Sequence, residues 1–187
     1  MQLAQLRQVS TSTTSTSMSS GHYRCRMEWV VRPAVTADAE ALGRVHVTSW
    51  RETYADVLSA KFLADLSIDD RARMWRRGLD RARPDRPVWV AEAGGEVIGF
   101  SMAGPAHDPE SPRELELFMI YLLAQHHGSG LGQRLLDTAI GDLPALLWVA
   151  ETNPRAQAFY RRNGFESDGA RKTEETWEHL VEIRMTR

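Results

Sequence analysis

Apolar and polar positions follow two spacings along this chain, and each spacing predicts a type of element. Glu28–Arg32 holds Trp29, Val30 and Val31 in succession and is stopped by Pro33, which reads as a short first strand. Thr36 is a candidate N-cap, with Asp38 and Glu40 in the first turn behind it. From there to about Trp50, the side chains Leu42, Val45, His46 and Trp50 fall near one helical face. A polar joint over 51–56 follows. Ser59 opens a short helix through Leu66, and Ser67, with Asp70 three residues on, opens another. The apolar stripe of that helix is Ile68, Ala72, Trp75 and Leu79. Its other face carries Arg71, Arg73, Arg76 and Arg77, which reads either as a solvated face or as a wall for an anionic ligand.

Pro84 and Pro87 end the helical region. Val88–Glu92 and Val97–Met102 flank the turn Ala93-Gly94-Gly95-Glu96, the pattern of a hairpin. After a polar loop over 104–113, the stretch Glu114–Ile140 changes spacing within itself. Its first part is a continuous apolar run after Glu116, as in a buried strand. Its last part has Leu131, Leu135, Leu136, Ala139 and Ile140 at helical spacing, and Gly128, Gly130 and Gly132 lie between. Leu146–Ala150 is a further strand. Asn153-Pro154 supplies an N-cap and a first helical residue for a helix that ends at Asn163-Gly164. Phe165 onward returns as a strand, and Thr176–Met185 is the last one. Hairpin strands early and β-α-β units late predict a mixed α/β sheet.

Composition changes this picture in one place. Residues 1–26 include an unbroken Ser/Thr/Met run from Ser10 to Ser20, which cannot bury apolar surface and is expected to be a disordered tail beside a single domain over 27–187. A transit peptide, and a true start at Met18 or Met27, are the alternatives for that segment. The whole chain has 187 residues and a net charge of −2, which gives no reason to expect a nucleic-acid partner. The apolar runs are too short for a membrane helix. The single cysteine, Cys25, permits no internal disulfide, and the histidines lack metal-ligand spacing, so a cytoplasmic protein without a metal is expected.

The glycine loop carries the first candidate chemistry. Glycines ahead of a helix expose backbone N–H groups, and those groups bind phosphate oxygens. The loop resembles the pyrophosphate loop of the GNAT superfamily of acyl-CoA-dependent N-acetyltransferases, Gln/Arg-x-x-Gly-x-Gly/Ala. It fits in two registers: 125–130 matches literally, whereas His127-Gly128-Ser129-Gly130-Leu131-Gly132 keeps the family spacing back to Tyr121 and Glu116 and is preferred. That register puts His127 where Gln or Arg is usual. A second block, Asn153-Pro-Arg-Ala156-Gln-Ala-Phe159-Tyr160-Arg-Arg-Asn-Gly164-Phe165, is similar to the family's Asn-x-x-Ala-x-x-Phe-Tyr-x-x-x-Gly-Phe and is the more specific of the two.

The resemblance covers about residues 29–187 and implies a GNAT acyl-CoA N-acyltransferase fold, a mixed, mostly antiparallel sheet of six to seven strands with flanking helices. It also implies acetyl transfer from acetyl-CoA to a primary amine of a small molecule or peptide, by direct attack in a ternary complex. A non-catalytic acyl-CoA-binding module of the same fold is the rival reading. By the same resemblance Tyr121, Leu122, Leu123, the loop His127–Gly132, Asn153 and Phe159 would hold the coenzyme, with a backbone N–H near Leu122 facing the thioester oxygen. Tyr160 would protonate the departing thiolate. Glu116 is the candidate base, with Glu114 as its substitute. Trp50, Tyr54 and Glu114 would border the acceptor, and a homodimer is expected from the family.

Overall fold

The computed structural model describes residues 29–81, 83–108 and 110–187. The Ser/Thr-rich segment 1–26, Cys25 and the start of the first strand at Glu28 lie outside the described residues. Seven strands form one sheet: β1 (Trp29–Pro33), β2 (Val88–Ala93), β3 (Glu96–Pro105), β4 (Leu115–Leu122), β5 (Ala145–Ala150), β6 (Glu166–Glu174) and β7 (Leu180–Thr186), in the order β1-β2-β3-β4-β5-β7-β6. All neighbours are antiparallel except β4 and β5. The sheet is therefore mixed and mostly antiparallel, as the spacing of hairpins and β-α-β units predicts.

Five helices cover it: α1 (Ala39–Tyr54), α2 (Ala60–Asp65), α3 (Ile68–Asp80), α4 (Leu131–Ile140) and α5 (Pro154–Arg162). On one face Leu136 and Ile140 of α4 pack with Leu147, Phe165 and Met185. On the other, Leu42 and Val45 of α1 and Trp75 of α3 meet Val90 and Phe100. Helices α1 and α3 touch backbone to backbone at Gly43, where an added Cβ would stand 2.8 Å from Ala72 N and 2.8 Å from Ile68 O. Only glycine allows that approach, and it sets how far α3 leans over the sheet.

Two helix starts are as the sequence predicts. Ser59 accepts from Phe62 N–H at the head of α2, and Ser67 from Asp70 N–H at the head of α3. The first helix differs. Thr36 is not its cap; a single 3-10 turn, Thr36–Asp38, precedes α1, and the Asp38 carboxylate accepts the Val35 N–H at 2.8 Å. The reason is a stronger partner: Arg32 reaches Asp38 at 2.7 and 2.9 Å and also binds Glu92, which ties β1 to the helix start. Thr36 instead donates its hydroxyl to Asp80. The last strand also begins later than Thr176. A 3-10 turn occupies Glu175–Trp177, and Glu178 and His179 take positive φ before β7. That turn is anchored from outside itself, because the Glu178 carboxylate accepts the Ser59 N–H at 2.7 Å and the Ser59 hydroxyl at 2.6 Å.

Candidate active site

The site begins where two strands part. β4 and β5 pair only through Leu115–Leu117 with Ala145–Leu147, yet β4 continues to Leu122 and β5 to Ala150. A bulge accompanies the parting: Met102 faces Met119 and Ala103 faces Leu117, so Phe118 is an extra residue in β4. The free side of β4 then carries backbone groups that no neighbouring strand pairs. Leu123 donates its N–H to Ile98 of β3 at 3.0 Å, so by alternation the N–H and carbonyl of Leu122 point to the open side.

A cavity of about 530 Å³ fills the gap and extends over the face covered by α1 and α3. The glycine loop stands at one end. Gly128 (φ 77°) and Gly130 (φ 88°) are left-handed, conformations that favour glycine, and Gly130 is the residue before α4. The first helical hydrogen bond is Arg134 N–H to Gly130 O. The amides of Gly132 and Gln133 therefore have no partner within the helix, the arrangement that binds anions. His127 turns its ring to the Leu122 carbonyl, with Nε2 at 2.9 Å. The Arg155 guanidinium of α5 lies against the same ring, Nη1 at 3.0 Å from Nε2. A cation thus stands at the loop even though residue 127 is not an arginine. The sequence signal for it was available: Arg155 is the second residue of a helix whose start, Asn153-Pro154, was already legible.

Asn153 Oδ1 accepts the Ala156 N–H at 3.0 Å, the N-cap bond its sequence position predicts, and its side borders the cavity. One turn on, Phe159 and Tyr160 reach the same space, and Tyr160 packs edge-on to Phe159 and Phe165. The Tyr160 hydroxyl makes no hydrogen bond among the described residues, and burial pushes its pKa well above the ordinary tyrosine value. It stays protonated at neutral pH.

The opposite end is aromatic. Trp50 donates Nε1–H to the Tyr121 hydroxyl at 2.9 Å and packs edge-on to Tyr54 and Trp177. Tyr121 is pushed up to about 12, first by burial. His46, 4% exposed, lies 5.3 Å from the Tyr121 ring and nearly parallel to it. Burial, with the nearby Arg71 charge as a second cause, lowers the His46 pKa to about 3, so the ring is neutral.

The sequence-predicted residues separate accordingly. Trp50, Tyr54, Tyr121, Leu122, His127, Gly128, Gly130, Gly132, Asn153, Phe159 and Tyr160 border one cavity. Leu131 and Leu123 pack into the core below it. Ser129 is exposed and donates to the His126 carbonyl at 2.7 Å. Glu114 is exposed ahead of β4, and its carbonyl accepts the Ala106 N–H. Glu116 is buried (8% exposed) at the closed end of the parting, where its carboxylate accepts the His107 N–H at 3.0 Å, with His107 Nδ1 at 3.2 Å; it does not border the cavity. Glu182 of β7 does. It is 7% exposed, pairs with Lys172 at 3.1 Å, and burial raises its pKa above the usual carboxylate value. Glu182 was not among the sequence candidates, because a single acid on a terminal strand reads as an outward position in the alternation.

Among the described residues no group of three or more His, Cys, Asp or Glu side chains is placed to hold a metal ion, and no helix is long and apolar enough to cross a membrane.

Known proteins resemble this chain. A probable N-acetyltransferase of Mycobacterium tuberculosis is 28% identical over 148 residues, covering 74% of this chain and 80% of that one. An uncharacterized N-acetyltransferase of Bacillus subtilis is 31% identical over 131 residues, 66% of this chain and 73% of its own. The PaiA N-acetyltransferase of Thermoplasma acidophilum, solved in complex with coenzyme A, superposes with a TM-score of 0.60 at 25% identity, over 84% of this chain and 98% of that one. The profile of the acetyltransferase (GNAT) family matches residues 47–165, from the second half of α1 through the end of the Asn…Phe-Tyr…Gly-Phe block. With strand parting, glycine loop and second block in one cavity, the chain belongs to the GNAT family and is an N-acetyltransferase.

Proposed function

We propose that the protein binds acetyl-CoA in the parting between β4 and β5 and transfers the acetyl group directly to a primary amine of a small molecule or peptide. The observation that carries this is the open side of β4 at Leu122 beside the left-handed glycines of the loop. A pantetheine arm would pair with β4 as an added strand, with the pyrophosphate at the α4 N-terminus and the Arg155 side chain. The Leu122 N–H would face the developing oxyanion. The amine nitrogen attacks the thioester carbon, the C–S bond breaks, and the Tyr160 O–H protonates the departing thiolate. With no cysteine among residues 29–187, no acyl-cysteine step is invoked.

Two carboxylates serve the amine. Glu182 borders the cavity and receives the amine proton directly; Glu116, the sequence candidate, lies behind the His107 amide and would receive it only through water. The segment 1–26 stands outside the catalytic unit 27–187 in this reading, on composition. The test is thiol release from acetyl-CoA across a panel of amines, with the acetylated product identified by mass. Initial-rate lines that intersect as both substrates vary support the ternary complex. Parallel lines would refute direct attack, and tight CoA binding without transfer to any amine would favour the binding-module reading.

A further inference from the structure

The far wall of the cavity holds polar atoms that the acetyl-transfer chemistry does not use. His46 and Ser49 are three residues apart on α1, so they share a face. Both border the cavity, they are 4% and 2% exposed, and neither His46 Nδ1 nor Ser49 Oγ has a hydrogen-bond partner among the described residues. Buried polar atoms are rarely left alone, because each unmet hydrogen bond costs on the order of 1–3 kcal/mol. Two orphans on one wall mark a place where a polar group of a ligand belongs.

Arg71 gives that group its charge. Of the basic face of α3, Arg73 is held by Asp70 and Arg76 by Glu40. Arg71 borders the cavity with its guanidinium carbon 5.9 Å from the Trp50 ring centroid. Its only side-chain hydrogen bond is to the Met74 sulfur, and it has no carboxylate partner among the described residues. The close contact at Gly43 brings α3 against α1 and so carries Arg71, next to Ala72, to the wall that holds His46 and Ser49.

Resting on the acetyl-transfer reading above, we propose that the acceptor is a small amino-carboxylate whose carboxylate binds Arg71, Ser49 and His46 while its amine faces the Tyr160 end of the cavity. One guanidinium, one hydroxyl and one neutral ring suit a planar monoanion. A phosphate or phosphonate dianion would leave charge uncompensated here. The aromatic walls formed by Trp50, Tyr54 and Trp177 favour an acceptor with an apolar body.

The experiment compares amino acids with their decarboxylated amines and with amino-phosphonates, by thiol release from acetyl-CoA. In parallel, binding of N-acetylated amino acids in the presence of CoA is followed by tryptophan fluorescence. The amino acids should exceed their decarboxylated amines in kcat/KM by roughly tenfold or more. Arg71→Gln should erase that preference through KM, with kcat little changed. Ser49→Ala should raise KM severalfold without lowering Tm, since the hydroxyl has no partner to lose; it serves if Arg71→Gln does not fold. Decarboxylated amines turned over equally well, with Arg71→Gln silent, would overturn the inference and leave acetyl transfer standing. A preference for amino-phosphonates would overturn the carboxylate assignment. If no amine releases thiol but N-acetylated amino acids bind in an Arg71-dependent way, the transfer reading fails and the carboxylate site stands. If neither transfer nor Arg71-dependent binding occurs, the inference falls too.

Discussion

His46 couples one wall of the cavity to acid stability. Its ring is buried among Trp50, Trp75, Phe100 and Tyr121, and the charge nearest it is the Arg71 guanidinium on α3. The folded protein holds its pKa at about 3, against 6.5 for the free side chain. The sign follows from proton counting. Between these values the unfolded chain binds a proton that the folded chain refuses, so stability is full above pH 6.5 and falls with pH until about pH 3. The loss is about 1.4 kcal/mol for each pH unit, hence about 2.7 kcal/mol on going from neutral pH to about pH 4.5. That is a large part of the 5–15 kcal/mol typical of a domain, roughly. The assay is urea unfolding of wild type and His46→Phe from about pH 7 down to about pH 4. Phenylalanine keeps the aromatic packing and cannot titrate. The difference between the two proteins should change by about 3 kcal/mol over that range. Parallel stability profiles would show that His46 is solvated or paired when folded, and would refute the burial argument.

Three further outcomes test the remaining geometry. Tyr160→Phe should lower kcat by about 10²–10⁴-fold with CoA affinity and Tm unchanged, because the hydroxyl has no protein partner to lose; equal turnover removes Tyr160 from the reaction. Glu182→Gln should abolish an acidic limb in kcat/KM lying above the ordinary carboxylate value of 4.5, whereas Glu116→Gln should lower turnover less than about tenfold; the reverse result returns the base to Glu116. Gly43→Ala should destabilise the fold by about 1–3 kcal/mol in denaturant unfolding, because overpacking against the Ala72 and Ile68 backbone outweighs the helix-propensity gain of about 1 kcal/mol. A more stable variant would mean α3 moves freely away from α1.

The elements were legible because burial imposes a period on each of them. The strands and helices of the second half follow from apolar spacing, and the glycine loop from glycines where a helix must start in left-handed backbone. What the sequence could not convey depends on partners distant along the chain. The parting of β4 from β5 and the bulge at Phe118 are matters of register, which no local pattern records. The four arginines of α3 look alike as a helical face; they differ because Asp70 and Glu40 take two of them and leave Arg71 at the cavity. Glu116 was chosen for its place on the strand, and the bond it accepts from the His107 amide is a contact that place does not reveal. Glu182 was passed over because its neighbours in the cavity, Tyr54 and Tyr121, lie far from it along the chain. Thr36 does not cap α1 because its hydroxyl turns to Asp80 while Arg32 holds Asp38, pairings that spacing does not reveal.

The turn between β6 and β7 supplies one aromatic wall of the cavity, Trp177. Trp177 sits 4.9 Å from Trp50 because its turn is moored to Ser59, the same residue that starts α2. Both anchoring bonds come from one side chain, and neither belongs to the sheet. That wall is thus a separable module: replacing Glu178, or changing the turn's length by a residue, would reshape the cavity there without disturbing the open side of β4. In the proposed acetyl-transfer reading, selectivity for the amine can drift in such a protein while its use of the coenzyme stays constant.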